Sequence, residues 1–532
     1  MLDRKEKTRL RSIIFCHLDG LVTVPSAYIL FEKGITSYIL KKELVFLDAL
    51  TREFKANAGY LNVALHVLAS QGWLRQEMAD NGNETAYRIT EKGKNAFELF
   101  PLYKDANTIL KLSEKYHPRK FEVEPFRILE KAIENYISKY GHTKQDDPVF
   151  QQLLLHIEGV LLGPSIVLLA MNGMFHKYFM ETSFRPEEFH RHPECFESLL
   201  DFFTHCGWFE KKNGTFAFTD TGLFFARRAT AYGVTVSYIP TLRNLDQLIF
   251  GDPNYLWNMA TPEMEAHVDR EMNVWGSGGA HSAYFEEVDQ ILIEIFNKNI
   301  EDQPKGLLDM GCGNGAFLIH AFQVIEQRTK RGKMLEDYPL FLVGADYNRE
   351  ALRISRENII QADIWAKFVQ ADIGDPLGLS KTLNRDYDMD LSDLLSFRSF
   401  IDHNRLWHAP NERKIIGQSC STGAFAYRGE KLNNRDVESS LYDHLKRWKP
   451  FIHRHGLLVI ELHGLDPELT AAHVGKTPAT AYEATHGYSD QYIVEIDRFR
   501  EIAFHAGLHS EERFFRKFPD SDTATVSVWF MK

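Results

Sequence analysis

The sequence predicts an α/β protein, with a mainly parallel sheet in the second half of the chain and mostly helical modules in the first half. Two observations predict this fold class. From about residue 305 onward, short apolar strands alternate with helical segments, which is typical of a parallel sheet covered by helices. Before residue 250, two stretches of chain resemble each other, and both carry helical apolar patterns.

The composition is that of a multidomain globular protein. The chain has 532 residues, of which 44% are hydrophobic and 25% are charged, so several packed domains are expected. The net charge of −11 opposes binding to phosphate backbones, and nucleic acid is therefore not expected as a partner. The five cysteines are scattered and form no Cys-x-x-Cys pair, which fits a reducing compartment and offers no zinc cluster.

The sequence also predicts a cytoplasmic protein with no membrane partner. The N-terminal residues MLDRKEKTRLRSIIF lack the sustained apolar run of a secretory signal. The most apolar stretch, residues 159–171, is shorter than the ~20 residues that a membrane span needs.

The weak internal repeat predicts two similar modules. HLDGLVTVPSAYILFEKG (17–34) aligns with HIEGVLLGPSIVLLAMNG (156–173), and LASQGWL (68–74) aligns with FTHCGWF (203–209). In each copy a short alternating strand follows, and a glycine then leads into another helix. Helices followed by a small β-wing and a further helix resemble a winged helix, so tandem winged-helix-like modules are expected.

We place the first module at residues 1–115, the second at 116–250 and the catalytic domain at 251–532. The resemblance to winged helices implies a lid and dimerisation element, and it therefore predicts a homodimer. Two other interpretations remain: the modules bind DNA, which the acidic charge opposes, or they only support the catalytic domain.

The predicted strands of the catalytic domain are GLLDMG, FLVGAD, FVQAD, a run near DMDLSDLLSF, GLLVIELHG, ERFFRKF and ATVSVWFM. In such a sheet, ligands bind at the carboxyl ends of the parallel strands. Ahead of the first strand, a cluster formed by Gly276, Gly278 and Gly279 is expected to precede an amphipathic helix.

The first of these strands ends in a glycine-rich turn. Asp309 closes the strand, and Gly311, Gly313 and Gly315 follow, where missing side chains let the backbone approach a ligand. The spacing is one residue shorter than in the G-x-G-x-x-G turn of dinucleotide-binding proteins. Asp346 closes the second strand, and Asp372, followed by Ile373, closes the third.

This ordered set resembles the class I S-adenosylmethionine-dependent methyltransferases, so a Rossmann-like domain of that class is expected. The resemblance implies that S-adenosylmethionine is the cofactor and that Asp309 and the three glycines form its binding turn. It further implies that Asp346 holds the ribose hydroxyls and that Asp372 and Ile373 lie beside the adenine.

Polar residues follow the fourth and fifth strands, whose carboxyl ends face one crevice beside the cofactor. They are Asp402 and His403 in SFIDHNRLW, His463 in IELHG, and farther on His486 and Gln491. Such groups suit an Fe(II) or Mn(II) ion that would act as a Lewis acid. His403 or His463 acting as a general base without metal is the second interpretation. A purely structural role is the third.

The arrangement of SGGAHSAYF, DHNR and ELHG around the turn resembles the metal-dependent C-methyltransferase domains of bacterial polyketide synthases, of the type found in the apratoxin loading module. The resemblance implies metal ligands at His463, Gln491 and His403, with Asp402 or His403 near the substrate; His486 is the alternative to Gln491. It also implies an acyl substrate attached to a carrier protein.

Residues 409–440 are expected to form a long polar loop, of the kind that often acts as a lid. Its basic and aromatic residues, and one just before it, suit an anionic substrate or a phosphopantetheine, although a solvated surface is the simpler interpretation. These residues are Arg405, Tyr427, Arg428 and Lys431.

The sequence thus predicts methyl transfer to an activated carbon of a carboxylated or α-keto small molecule, or of a carrier-bound acyl group, in specialised metabolism. The catalytic residues would be His403, His463 and Asp402. Two alternatives are metal-free O-methylation by a histidine base and a DNA-binding regulator that senses S-adenosylmethionine.

Overall fold

The first module is a helical unit with a small three-stranded sheet. The structure is a computed structural model that describes residues 2–79, 84–113, 123–140, 147–175, 183–260 and 265–532. The sheet has the order β1-β3-β2, and all its pairings are antiparallel. The elements are α1 (Arg4–Glu32), α2 (Ile35–Lys42), β1 (Leu44–Phe46), α3 (Leu47–Phe54), α4 (Ala58–Ser70), β2 (Leu74–Ala79), β3 (Glu84–Ile89), α5 (Glu91–Leu99) and α6 (Lys104–Leu112).

The second module repeats this arrangement with a two-stranded wing. Phe184 forms a single β-bridge with Phe216, in the place that β1 occupies in the first module. The elements are α7 (Val123–Tyr140), α8 (Pro148–Met171), α9 (Pro193–His205), β4 (Phe209–Lys212), β5 (Thr215–Phe218) and α10 (Asp220–Ala226). The predicted boundary between residues 115 and 116 lies outside the described residues.

Both copies are built by the same local interactions. Thr90 caps α5 by accepting a hydrogen bond from the backbone N–H of Gly93, and Thr219 caps α10 in the same way through Gly222, at 2.9 Å in each case. A Cβ on either glycine would lie about 2 Å from the carbonyl oxygen of the preceding tryptophan, Trp73 or Trp208. The repeat in the sequence therefore corresponds to a repeat in structure.

The two modules pack on each other where α1 crosses α8. A Cβ on Gly20 would lie 2.4 Å from the backbone of His156, and one on Gly159 would lie 2.3 Å from the backbone of His17. Glycine is required here because the backbones touch. By length and composition both helices could cross a membrane, but most of the apolar window of each is buried inside the protein.

A buried acid, Asp19, lies beside this crossing. Its side chain is 1% exposed and accepts a hydrogen bond from Gln71, whose amide also donates to Thr480 of the catalytic domain. Burial raises the pKa of Asp19 to about 8. The folded protein therefore keeps a proton on this carboxyl that the unfolded chain releases near pH 4, so stability falls as the pH rises from about 4 to about 8.

Asp19→Asn is expected to remove this dependence, since asparagine resembles the protonated acid in shape. The melting temperature should rise relative to the wild type, by ~5 °C more at about pH 7.5 than at about pH 5. Differential scanning fluorimetry at both values measures this shift. Asp520→Asn, at an exposed position, serves as the control and should show no pH-dependent difference. An equal effect of Asp19→Asn at both pH values would contradict the assignment.

Short helices at the end of the second module lead to the catalytic domain, and a long helix then leads into the sheet. The connecting helices are α11 (Thr230–Ser237), α12 (Ile239–Leu242), α13 (Leu245–Phe250) and α14 (Tyr255–Met259). The long helix is α15 (Arg270–Phe296). The cluster around Gly276 was predicted to precede a helix, but it lies inside α15, where Gly276 packs against Gly233 of α11.

The catalytic domain contains a seven-stranded sheet, as predicted. Its elements are β6 (Gly306–Met310), α16 (Ala316–Arg328), β7 (Phe341–Asp346), α17 (Arg349–Gln361), β8 (Lys367–Gln370), α18 (Pro376–Tyr387), β9 (Leu394–Ser399), β10 (Ala426–Tyr427), β11 (Glu430–Lys431), α19 (Asn434–Ile452), β12 (Leu457–Leu462), α20 (Pro467–Ala472), α21 (Ala479–Gly487), α22 (Ile496–His505), β13 (Arg516–Phe518) and β14 (Val526–Met531).

The order of the large sheet is β13-β14-β12-β9-β6-β7-β8. The five strands from β12 to β8 are parallel, and β14 and β13 add antiparallel pairs at one side. Every residue of β6 and β12 is buried, as expected for strands covered on both faces. The strand order reverses between β6 and β9, so a ligand crevice is expected at their carboxyl ends.

Candidate active site

The glycine-rich turn between β6 and α16 has the shape of a cofactor cradle. Gly311, Gly313 and Gly315 all have positive φ, at 82°, 53° and 79°. The N–H of Gly311 donates to the carbonyl of Ala345 at 2.7 Å, which ties the turn to β7. A Cβ on Gly315 would lie 2.6 Å from the Ser355 hydroxyl, whereas one on Gly313 would meet open space. The backbone at Gly313 is therefore open to a ligand.

Asp346 holds this turn from the end of β7. Its two carboxylate oxygens accept hydrogen bonds from the N–H of Gly313 at 3.1 Å and of Asn348 at 2.8 Å. Burial raises the pKa of Asp346 despite these bonds. Asp309 lies beneath the turn, 2% exposed, and burial and the neighbouring Asp346 raise its pKa well above its usual value.

The third predicted acid lies two residues beyond β8. Asp372 is half-buried and accepts a hydrogen bond from the N–H of Gly374 at 2.7 Å. Ile373 is buried, and its carbonyl accepts from the indole N–H of Trp448. The three predicted strand ends therefore meet along one edge of the sheet. Tyr347, directly after Asp346, is 69% exposed at the same edge of the sheet.

On the other side of β6, His403 is held by a buried glutamate. The Nδ1 of His403 lies 2.6 Å from Oε1 of Glu461, which is on β12. The other oxygen of Glu461 accepts from the backbone N–H of Asp402. Glu461 therefore fixes both the ring and the backbone of this segment and leaves the Nε2 of His403 available. Sequence reasoning missed Glu461 because it lies within an apolar strand.

His486 faces His403 from α21. The two imidazole rings are 4.9 Å apart and nearly perpendicular, at 76°. The Nδ1 of His486 lies 2.6 Å from the carbonyl oxygen of Tyr482. Burial and the nearby His403 lower the pKa of His486 to about 3, so the ring is neutral at physiological pH. Both rings are thus oriented through Nδ1, and within the described part of the chain neither Nε2 has a hydrogen-bond partner.

His463 lies at the end of β12 but faces away from this pair. One ring nitrogen is 2.6 Å from the Ser527 hydroxyl and the other is 3.0 Å from the Val494 carbonyl. The ring is fully buried, and burial lowers its pKa to about 3. In this geometry no nitrogen of His463 is free for a proton or a metal, contrary to its predicted roles.

Asp402 is a structural anchor rather than an open carboxylate. It is 1% exposed and receives hydrogen bonds from Arg398 at 2.6 Å and His444 at 2.8 Å. Burial alone would raise the pKa of Asp402, but the guanidinium of Arg398 and the His444 ring hold that pKa well below its usual range. Asp402 therefore stabilises the segment that carries His403, and its predicted catalytic role does not fit this contact set.

Gln491 lies beside the histidine pair. Its backbone N–H donates to the carbonyl of His486 at 3.0 Å, and its side-chain oxygen is 3.4 Å from the hydroxyl of Tyr238. Tyr238 comes from the second module. Within the described residues, three or more His, Cys, Asp or Glu side chains do not gather at any metal-binding position. A metal here would therefore rest on two imidazoles and one amide.

The predicted loop 409–440 contains the hairpin β10–β11 and the start of α19, so only part of it is irregular. Arg405 is buried and donates to the carbonyls of Asp402 and Val437. Arg428, at the tip of the hairpin, lies 3.8 Å above the Trp257 ring and 3.3 Å from Asp490. Lys431 donates to Thr85 of the first module. These contacts hold the hairpin against α14, against the segment after α21 and against the first module.

Three sequence models of protein families match the chain. The AprA N-terminal domain matches residues 10–76, the AprA winged helix domain matches 158–252, and the AprA MT2-like domain matches 265–529. No curated protein sequence matches. The third match includes every cofactor and reaction residue of the predicted site.

Solved methyltransferase structures are similar to the chain at low identity. An O-methyltransferase family protein from Burkholderia thailandensis has 11% identity, covers 69% of this chain and 93% of its own, and has a TM-score of 0.34. CalO1, a methyltransferase in calicheamicin biosynthesis, has 16% identity, 72% and 99% coverage and a TM-score of 0.37. Human N-acetylserotonin methyltransferase has 11% identity, 73% and 99% coverage and a TM-score of 0.36.

Proposed function

Since the chain is an S-adenosylmethionine-dependent methyltransferase built from the three AprA-type domains, we propose that it methylates an activated carbon. The acceptor would be a carboxylated or α-keto small molecule, or an acyl group on a carrier protein, in a polyketide-type pathway of the cytoplasm. The prediction of a homodimer is kept as a proposal, for which light scattering at micromolar concentration is the test.

The observation that supports this proposal is the facing pair His403 and His486. Glu461 accepts from one ring and the Tyr482 carbonyl from the other, so each ring is fixed through its Nδ1 and its Nε2 remains for the proposed reaction. His403 follows β9, which neighbours β6 in the sheet, so the pair lies on the side of the sheet edge next to the cofactor turn. A carbon acid bound there can lose a proton to an imidazole and meet the methyl group of the cofactor.

These side chains offer donor types that metal ions bind. Imidazoles whose Nδ1 is bonded to a carboxylate or a carbonyl are typical ligands, because that bond fixes the ring and leaves Nε2 for the metal. His403, His486 and Gln491 would hold Fe(II) or Mn(II), with His486 in the role first assigned to His463. When bound, the ion would supply Lewis acidity that lowers the cost of removing a proton from the acceptor carbon.

Metal-free O-methylation is the second candidate, and the same Glu461–His403 bond favours it. A carboxylate on Nδ1 fixes the orientation and the tautomer of a histidine, so the Nε2 of His403 can remove a proton from a hydroxyl. The match of residues 265–529 to a methyltransferase domain disfavours a non-enzymatic regulator.

Methyl transfer from ¹³C-methyl S-adenosylmethionine distinguishes the two candidates. The wild-type protein is incubated with a malonyl-carrier protein, an α-keto acid and a phenol, each with Fe(II) or Mn(II) and each with a chelator. A new carbon–carbon bond, seen by NMR and abolished by the chelator, is the expected result. Chelator-resistant labelling of the phenol oxygen would contradict metal-assisted carbon methylation and leave the histidine base.

A further inference from the structure

A buried tyrosine of the second module, Tyr238, lies at the proposed reaction site. Tyr238 is 4% exposed and lies between α11 and α12. Its hydroxyl is 3.4 Å from the side-chain oxygen of Gln491, and its ring centroid is 5.8 Å from that of His486. The phenol therefore contacts the Gln491 amide and packs beside the His486 imidazole.

The position of Tyr238 is fixed by contacts between α11 and α15. Gly233 and Gly276 bring the two helices together, since a Cβ on either would lie within 2.7 Å of the other backbone. The carbonyl of Ser237 accepts from the N–H of Asp269, and its hydroxyl accepts from the amide of Asn273. Because Ser237 is adjacent in sequence, these bonds set where the phenol of Tyr238 enters the site.

We propose that Tyr238 is a positioning residue for methyl transfer, and this inference rests on the proposed function. Its hydroxyl donates to Gln491 and restrains the rotation of the amide beside His486. Without this donor, the amide is free to turn its N–H₂ group toward the histidine pair, where it would compete for the Nε2 lone pair that either a metal or a proton requires. The winged-helix module is in this way a part of the reaction site and more than a support.

A second buried tyrosine, which joins the N-terminal modules to the catalytic domain away from the proposed site, provides a matched control. Tyr488 is also a buried tyrosine, 1% exposed, and its hydroxyl is 2.9 Å from Ser26 of α1. Tyr238→Phe and Tyr488→Phe therefore each remove one buried hydroxyl that bridges the N-terminal modules and the catalytic domain. Only the first of these hydroxyls contacts the proposed site.

Five quantities are compared between the two variants: the kcat and the KM for the acceptor, the Kd for S-adenosylmethionine, the affinity for Mn(II) alone, and the melting temperature. Tyr238→Phe should lower kcat and Mn(II) affinity by about 10-fold, with an unchanged Kd for S-adenosylmethionine. Tyr488→Phe should change only the melting temperature. Equal kcat values for the two variants would overturn the proposal.

The test separates this proposal from the proposed function. If the wild type binds neither Mn(II) nor Fe(II), the mechanism involves no metal. The role of Tyr238 is then decided by comparing the kcat of Tyr238→Phe with that of Tyr488→Phe. A selective loss of kcat in Tyr238→Phe then still supports positioning through Gln491. A loss seen only as a lower melting temperature, with full activity of the folded protein, means that Tyr238 is structural and overturns the inference.

Discussion

Replacing His403 by alanine is expected to lower kcat by about a thousand-fold, with no change in the Kd for S-adenosylmethionine. In both candidate mechanisms the Nε2 of His403 acts directly at the acceptor, either on a proton or on a metal. Its Nδ1 is bonded to Glu461, and the ring lies on the far side of β6 from Asp346, so the cofactor turn should stay intact. Steady-state kinetics and isothermal titration calorimetry measure the two quantities.

His463→Asn is the matched control for this variant. His463 is buried at the end of the neighbouring strand, but both of its nitrogens are bonded within the protein. We expect a lower melting temperature and a nearly unchanged kcat for the folded fraction. The reverse pattern, in which the His463 variant is inactive and His403→Ala retains a tenth or more of its activity, would return the catalytic role to His463.

Replacing Asp346 by asparagine is expected to raise the Kd for S-adenosylmethionine by about 100-fold. The carboxylate stands at the end of β7 and accepts from the N–H of Gly313 and Asn348, so it shapes the turn. In the proposed site it would also accept hydrogen bonds from the ribose hydroxyls of the cofactor. Two hydrogen bonds from ribose hydroxyls to this charged carboxylate would contribute ~3 kcal/mol together, which corresponds to a change of about 100-fold in the Kd. Calorimetric titration of the folded variant gives the Kd directly.

Asp372→Asn is the comparison for that titration. Asp372 is half-buried and bonds to the N–H of Gly374, in its own loop, and an amide oxygen can replace its acceptor. Its effect should therefore be several-fold smaller than that of Asp346→Asn. Equal Kd values for the two variants would show that Asp346 does not contact the cofactor, and the ribose site would then have to be sought elsewhere along the strand ends.

The cofactor half of the site could be predicted from the sequence because its determinants are local. The turn from Asp309 to Gly315 is specified by glycines that adopt positive φ within a few residues. Asp346 follows an unbroken apolar strand, so its place at the sheet edge follows from the strand itself. Both the turn and Asp346 can therefore be predicted without knowledge of any long-range contact.

The reaction half could be predicted only in part because it depends on side-chain direction and on packing between distant segments. A strand-end position did not determine where His463 points; its ring turns toward Ser527 of β14. His486 belongs to α21, which is positioned by contacts with the first module, such as that between Glu483 and His66. The sequence predicts that these histidines belong to the site, but it does not show which of their rings face each other.

The repeat of the two modules could be seen in the sequence, whereas the packing of one module on the other could not. Gly20 and Gly159 occupy equivalent positions in the two copies, and the structure shows each against the backbone of the other helix. Gly276 belongs to a similar close approach with Gly233. In both cases the reason for the glycine is a partner more than 40 residues away, which a local pattern does not reveal.

Anomalous X-ray diffraction from Mn(II)-soaked crystals of the wild-type protein tests the proposed reaction site most directly. The account predicts one strong peak about 2.2 Å from the Nε2 atoms of both His403 and His486, with the Gln491 oxygen adjacent. A peak beside His463, or crystals that bind Mn(II) only away from the histidine pair, would contradict the metal assignment and leave His403 to act as a base.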